Sequence, residues 1–260
     1  MARGIPVTAA TRAEVCAVAV ADAFRGDGEK LASSFGTVPA IGARLAKLTF
    51  EPDLLMTDGI AMLLADPQPV SGEAKADPVV EGWLPFRSVF DLLWSGRRHV
   101  VMVASQIDRF GNHNVACIGP HAKPTAQLLG MRGAPGNTIH HTTSYWIPNH
   151  SPKVFVERVD VCSGVGYDRA AALGGASARF HEIRCVVSNL GVFDFATPER
   201  RMRIRSLHPG VTLAEVVAAT GFELAVEADP PQTRAPSDLE LRLIRELIDP
   251  AGARERELAA

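Results

Sequence analysis

Apolar and polar positions along the chain switch between a helical period and strict alternation, and those switches divide it into elements. Thr11-Arg-Ala-Glu14 has the spacing of a capping box, in which hydroxyl and carboxylate each accept a bond from the other residue's backbone N–H. It predicts an amphipathic helix over residues 15–24 that stops at Gly26-Asp-Gly28. Residues 33–36 read as a turn, 39–48 as a second helix and 53–56 as a short apolar strand ending at Thr57-Asp-Gly59. Residues 66–82, rich in Pro, Gly, Asp and Glu, read as an irregular excursion. Helical spacing returns over 83–94, and 100–104 reads as a buried strand.

Farther on, residues 153–161 alternate as a half-buried strand does. Residues 184–188 and 192–195 bracket Asn189-Leu-Gly191 as a hairpin or sharp crossover, and 201–207 alternate again. Two more capping boxes, Thr212-Leu-Ala-Glu215 and Ser237-Asp-Leu-Glu240, open helices closed by Gly221 and by Asp249-Pro250. Helices and strands interleave, so the class is α/β with a β-rich second half.

Composition narrows the function more than the fold. The 260 residues are 47% hydrophobic and carry a net charge of −2, an ordinary globular balance that gives no electrostatic reason for a nucleic-acid or membrane partner. A single domain is expected over residues 11–250, with flexible termini at 1–10 and 251–260. The first residues lack the apolar core of a secretion signal, which points to the cytoplasm. Cys16, Cys117, Cys162 and Cys185 are scattered without a C-x-x-C pair, as reduced, buried thiols are, and offer no zinc site.

The richest candidate chemistry lies in residues 130–144, where three glycines, a proline and an asparagine precede a run of histidines and hydroxyls. The free N–H groups of Gly133, Ala134, Gly136 and Asn137 could converge on an anion or on an oxygen that becomes negative during reaction, with Gly130 beside them as a further binding residue. Thr57, Asp58 and Gly59 stand at the end of an expected strand, where α/β sheets place working residues, although an Asx turn is the plainer reading of Asp58. Asn112 is placed to support a site after the next strand, and His140 is a conceivable base. His140 and His141, adjacent on a strand, would face opposite ways and could not share a metal. Nucleotide, nucleophile-elbow and metalloprotease motifs are missing, so residue types alone supply no complete catalytic set.

Several blocks together resemble the β subunits of family I coenzyme A transferases: Asn189-Leu-Gly-Val-Phe-Asp-Phe195, His208-Pro-Gly-Val-Thr-Leu-Ala-Glu215, Ala219-Thr-Gly-Phe222 and the glycine loop. Arg97-Arg-His-Val-Val-Met102, Gln106-Ile-Asp-Arg-Phe-Gly-Asn112 and Arg132-Gly-Ala-Pro-Gly-Asn-Thr138 resemble one branch in particular, the ring-cleaving hydrolases of steroid degradation. The resemblance implies an open mixed sheet with flanking helices. It also implies an α-type partner chain in an α2β2 heterotetramer, and an acyl-CoA substrate with no separate cofactor. In transferases of this kind a Ser-Glu-Asn-Gly loop carries the glutamate that becomes a CoA thioester, whereas this chain reads Met56-Thr-Asp-Gly59. The catalytic glutamate is then expected on the α-type chain. A transferase subunit and a purely stabilising subunit are the competing readings.

Overall fold

The computed structural model describes residues 9–226 and 229–258. In chain order the strands are β1 (Leu31–Ser34), β2 (Met62–Leu64), β3 (Val80–Trp83), β4 (Arg98–Val103), β5 (Gln106–Ile107), β6 (His113–Asn114), β7 (Cys117–Ile118), β8 (Ala126–Gln127), β9 (Thr142–Ile147), β10 (Glu182–Ser188), β11 (Gly191–Asp194) and β12 (Arg203–Leu207). The helices are α1 (Arg12–Ala23), α2 (Thr37–Thr49), α3 (Ser88–Trp94), α4 (Ala134–His140), α5 (Tyr167–Leu173), α6 (Leu213–Ala218), α7 (Asp238–Arg242) and α8 (Arg254–Leu258).

Six strands form the central sheet in the order β1-β4-β9-β10-β11-β12. The first four run parallel, and β11 and β12 return antiparallel through the hairpin expected at Asn189. Because strand side chains alternate in direction, the sheet feeds two cores. Val101, Trp146, Cys185 and Val187 face one side, against α1 and α2. Val100, Met102, Tyr145 and Val186 face the other, with Phe155, Phe193, Val216 and Phe222. A register shift between Ile183 and Val186 lets an odd and an even position share that second face.

All three capping boxes form, with the threonine or serine hydroxyl accepting from the backbone N–H three residues on. Such patterns are decided within one turn of chain, so they are reliable guides. Helix α1, expected to be amphipathic, is instead apolar around nearly its whole circumference and is accordingly buried, with α2 against it. A Cβ at Gly42 would meet Val20 Cγ1 at 2.6 Å, so glycine sets that close approach. No helix among the described residues is long and apolar enough to cross a membrane.

Several expectations are corrected. Residues 53–56 make only an isolated bridge, Leu55 to Leu31, whereas 31–34 form the edge strand β1 instead of leading into a turn. Trp83 ends β3, and the expected helix is confined to Ser88–Trp94. Residues 153–161 form turns and bends with one isolated bridge, Phe155 to Ile107 of β5; the buried side chains are Phe155 and Val159, four apart, in place of an alternating set. Gly221 is no left-handed cap: its missing side chain lets the backbone approach, since a Cβ would lie 2.5 Å from the Phe155 carbonyl oxygen. Gly221→Ala is expected to destabilise the fold by about 2 kcal/mol through that overpacking, read as a shift in denaturant midpoint at unchanged slope.

Within the segments expected as flexible termini, residues 251–258 make ion pairs and hydrogen bonds to the rest of the fold, and residues 1–8 and 259–260 lie outside the described residues. Glu14 is fully buried and receives Arg245 Nε at 2.7 Å and Arg254 Nη2 at 2.9 Å. Burial pushes its pKa up, but the bonds from Arg245 and Thr11 outweigh that and hold it below the usual range. Arg254 also donates to Asp249 Oδ2 at 2.9 Å, and Glu257 accepts from the Val38 N–H at 2.7 Å.

Candidate active site

The glycine segment folds otherwise than expected. After Gly130 (φ +82°) and Arg132 (φ +46°), residues 134–140 turn into α4, and the run of hydroxyls beyond it is the buried strand β9. A left-handed φ is strained at a residue with a side chain, and such strain concentrates at functional sites. Two of the four expected free donors are spent inside the turn: Ala134 N–H on the Met131 carbonyl at 2.9 Å and Asn137 N–H on Gly133 at 3.0 Å. An anion cradle of four converging amides is therefore not formed. Gly133 and Gly136 are not required by packing either, since a Cβ would come no closer than 3.9 Å and 3.7 Å to any neighbour.

The segment instead walls a cavity of about 120 Å³. Phe35, Met102, Val103, Val115, Leu129 and Met131 make it apolar, and Gly130, Arg132, Gly133, Ala134 and Asn137 complete the lining. Its position is dictated by the sheet: Met102 and Val103 end β4, and Phe35 follows β1, at the carboxyl ends of parallel strands where α/β folds hold ligands. The space suits a compact hydrocarbon group.

Thr57, Asp58 and Gly59 do not line that cavity. They form a hairpin tip before β2, in which Asp58 Oδ1 accepts from the backbone N–H of Ile60, Ala61 and Met62 at 2.8, 2.9 and 3.0 Å. Those bonds, led by Met62 and Ile60, hold the Asp58 carboxyl below its usual range. Thr57 Oγ1 accepts from Gly59 N–H at 3.1 Å. Asp58 is thus the Asx turn that its sequence position suggested, with its charge directed at its own backbone.

Asn112 is buried structure. Its Nδ2 donates to Asp108 and to Asp168 Oδ1, both at 2.9 Å, and its Oδ1 accepts from Gly166 N–H at 2.7 Å, so nothing is left for a ligand. The two histidines are at the end of a helix and not on a strand. His140 is half-buried, and His141 is buried, with its pKa pushed down to about 3, first by burial. Among the described residues no three His, Cys, Asp or Glu side chains gather as a metal site.

Sequence reading missed two features. Asp27, His99 and Ser144 form a chain through the core, with Asp27 Oδ2 to His99 Nδ1 at 2.6 Å and His99 Nε2 to Ser144 Oγ at 2.9 Å. The order imitates a nucleophilic triad, but Ser144 is 1% exposed and lies in the sheet without access. Arg184 and Lys30 add 2.8 and 2.9 Å contacts to Asp27 Oδ1, making this a buried ionic cluster. The second feature is a ridge of uncovered apolar side chains on β2, β3 and α3. Ile60, Trp83 and Phe86 are 77%, 72% and 72% exposed, and Phe86 meets Phe90 edge-on with ring centres 5.7 Å apart. A monomer rarely presents such a patch, so the ridge has the character of an interface.

No family model matches the chain. The IpdB subunit of the cholesterol ring-cleaving hydrolase of Rhodococcus jostii (strain RHA1) is 55% identical over 253 residues, covering 97% of this chain and 98% of that protein. The crystal structure of Rhodococcus jostii RHA1 IpdAB matches with a TM-score of 0.90 over 96% of this chain and 99% of the other. Glutaconate coenzyme A-transferase from Acidaminococcus fermentans matches at 23% identity with a TM-score of 0.78, over 93% of this chain and 96% of that one, which shows a shared fold.

Proposed function

The chain belongs to the family of the cholesterol ring-cleaving hydrolase IpdB subunit, and from that premise we propose that it is the β-type half of a heteromeric hydrolase acting on a cyclic CoA thioester. The substrate class is the last steroid-derived ring, a cyclohexenone carrying a carboxyl-CoA. Water adds to the electron-poor ring, and the C–C bond beside the ring carbonyl opens in a retro-Claisen-like step. The released electron pair is delocalised into the neighbouring carbonyl groups and then protonated.

One observation carries the assignment of hydrolysis over group transfer. At the hairpin where the transferases hold a nucleophilic glutamate, this chain has Thr57, and the adjacent Asp58 is held in an Asx turn by three backbone N–H groups on its Oδ1. An acyl anhydride and then a thioester need a carboxylate at that position, and a threonine hydroxyl cannot replace it. The acid–base glutamate belongs to the α-type partner. This chain contributes the apolar cavity at the glycine segment, and its Trp83–Phe86 ridge receives the partner. CoA enters as part of the substrate, with no separate cofactor, and the assembly is an α2β2 heterotetramer in the cytoplasm.

The test is co-expression with the α-type chain and incubation of the purified complex with a cyclohexenone carboxyl-CoA. A ring-opened product gained by addition of water, formed at the same rate with or without an acceptor acid, is the expected result. Turnover that requires the acceptor and moves CoA onto it would identify a transferase instead.

A further inference from the structure

Behind the apolar wall of the cavity lies a cationic network whose contacts are all neutral. Arg98, at the start of β4, donates from Nε to Ser33 Oγ at 2.9 Å and from Nη1 to Asn137 Oδ1 at 3.0 Å. Burial lowers its pKa to about 10, which leaves it charged at neutral pH. A guanidinium has donors only, so the amide atom facing it is the oxygen, and the orientation of Asn137 is fixed by chemistry. His141 Nε2 lies 3.3 Å from the same oxygen, and its neutral ring has one proton to place between Asn137 Oδ1 and the Thr142 carbonyl at 3.0 Å.

The nitrogen of Asn137 must then point the other way, and there it meets Met102 Sδ at 3.2 Å. A thioether is a weak acceptor, and an amide nitrogen has two hydrogens to place. Asn137 is 8% exposed, and both it and Met102 line the cavity. An under-used donor aimed along an apolar wall is costly to keep, unless an oxygen arrives there during the working cycle.

We infer that the side-chain amide of Asn137 donates from Nδ2 to the carbonyl oxygen of the substrate that takes up negative charge as the ring opens, and that Arg98 is the positioning residue behind it. The inference rests on the hydrolase reading above. It moves the expected oxyanion contact from the backbone of the glycine segment, where two donors are spent, to one side chain. Arg98 locks the amide with its oxygen inward and, by drawing density toward that oxygen, strengthens the N–H donors in a low-dielectric setting. Met102, unbranched and flexible, gives way when the substrate enters.

The assembled complex tests this with three variants. Asn137→Asp keeps an oxygen toward Arg98 but turns the donor into an acceptor. It is expected to lower kcat about 100-fold, the loss of one oxyanion donor, with KM and thermal midpoint little changed. Arg98→Met frees the amide to turn and is expected to lower kcat about tenfold, and Arg98→Lys, which still donates to Asn137 Oδ1, recovers part of that. A residue that merely holds the fold would move assembly, midpoint and KM together. Asn137→Asp with kcat within about threefold of wild type would overturn the inference. If that variant does not assemble, the single-turnover rate of Asn137→Ala decides by the same criterion. A wild-type complex that leaves the cyclohexenone thioester intact would overturn the hydrolase reading and this inference with it, so the two failures are distinguishable.

Discussion

Replacing Trp83 and Phe86 together by aspartate is expected to prevent association with the α-type chain while leaving this chain folded. The two aromatic side chains are each 72% exposed, so nothing in the core depends on them. Aromatic anchors at the centre of an interface each contribute about 2 kcal/mol or more when truncated. Two together therefore weaken binding by roughly a thousandfold, and buried carboxylates facing an apolar partner add a desolvation cost. Light scattering on the co-expressed chains gives the answer: separate species with unchanged circular dichroism are expected. A complex of wild-type size would show that the ridge serves another purpose.

The largest effect on stability is expected at Asp27. Its side chain is fully enclosed and holds His99, Arg184 and Lys30 around it. Burial raises its pKa, but the hydrogen bond from His99, followed by the charges of His99 and Arg184, prevails and brings it down to about 2. Asp27→Ala strands the Arg184 and Lys30 charges and leaves His99 Nδ1 without its acceptor, and is expected to cost about 3–5 kcal/mol, a drop in thermal midpoint of about 10 °C. The pH dependence has a definite sign. A carboxyl whose folded pKa is depressed contributes fully above its unfolded value, near 4, and loses that contribution as pH falls through about 2. Above pH 7, where His99 is neutral because burial holds its pKa below the usual value, the variant's deficit should stay constant, and it should shrink as pH falls toward 2. An unchanged midpoint for Asp27→Ala at pH 7 would show that the cluster is energetically idle.

Local signals in the sequence were good guides to local structure. Capping boxes at Thr11, Thr212 and Ser237 need only a spacing of three residues, and each one forms. The hairpin at Asn189 was legible for the same reason. What failed was settled by distant partners. Leu31–Ser34 is too short and too polar to announce itself, and it is a strand because Arg98–Val101 runs beside it. Residues 153–161 alternate convincingly, yet Phe155 and Val159 are drawn into the core and the only pairing among the described residues is a single bridge from Phe155 to Ile107 of β5.

The candidate site divided along the same line. The glycine segment does wall a cavity, but not as the cradle of free amides its composition suggests, because half of the expected donors are consumed by its own turn. Asp58 and Asn112 were polar residues in suggestive positions that the fold spends on its own backbone and carboxylates. Arg98 and Asn137 lie 39 positions apart and meet only because α4 packs on the sheet at β9, whose neighbour is β4, a relation that no spacing rule contains.

The bond between Glu14 and Arg254 spans 240 positions. During synthesis the ribosome releases α1 long before the arginines that neutralise its buried acid exist, and until then that carboxylate is a reason for the helix to stay in water. Pairing of the ionised Glu14 inside the first core therefore waits for the last part of the chain. Its completion is a late event, timed by emergence of the segment around residue 250, and the half-built chain must keep its apolar helix out of trouble in the meantime.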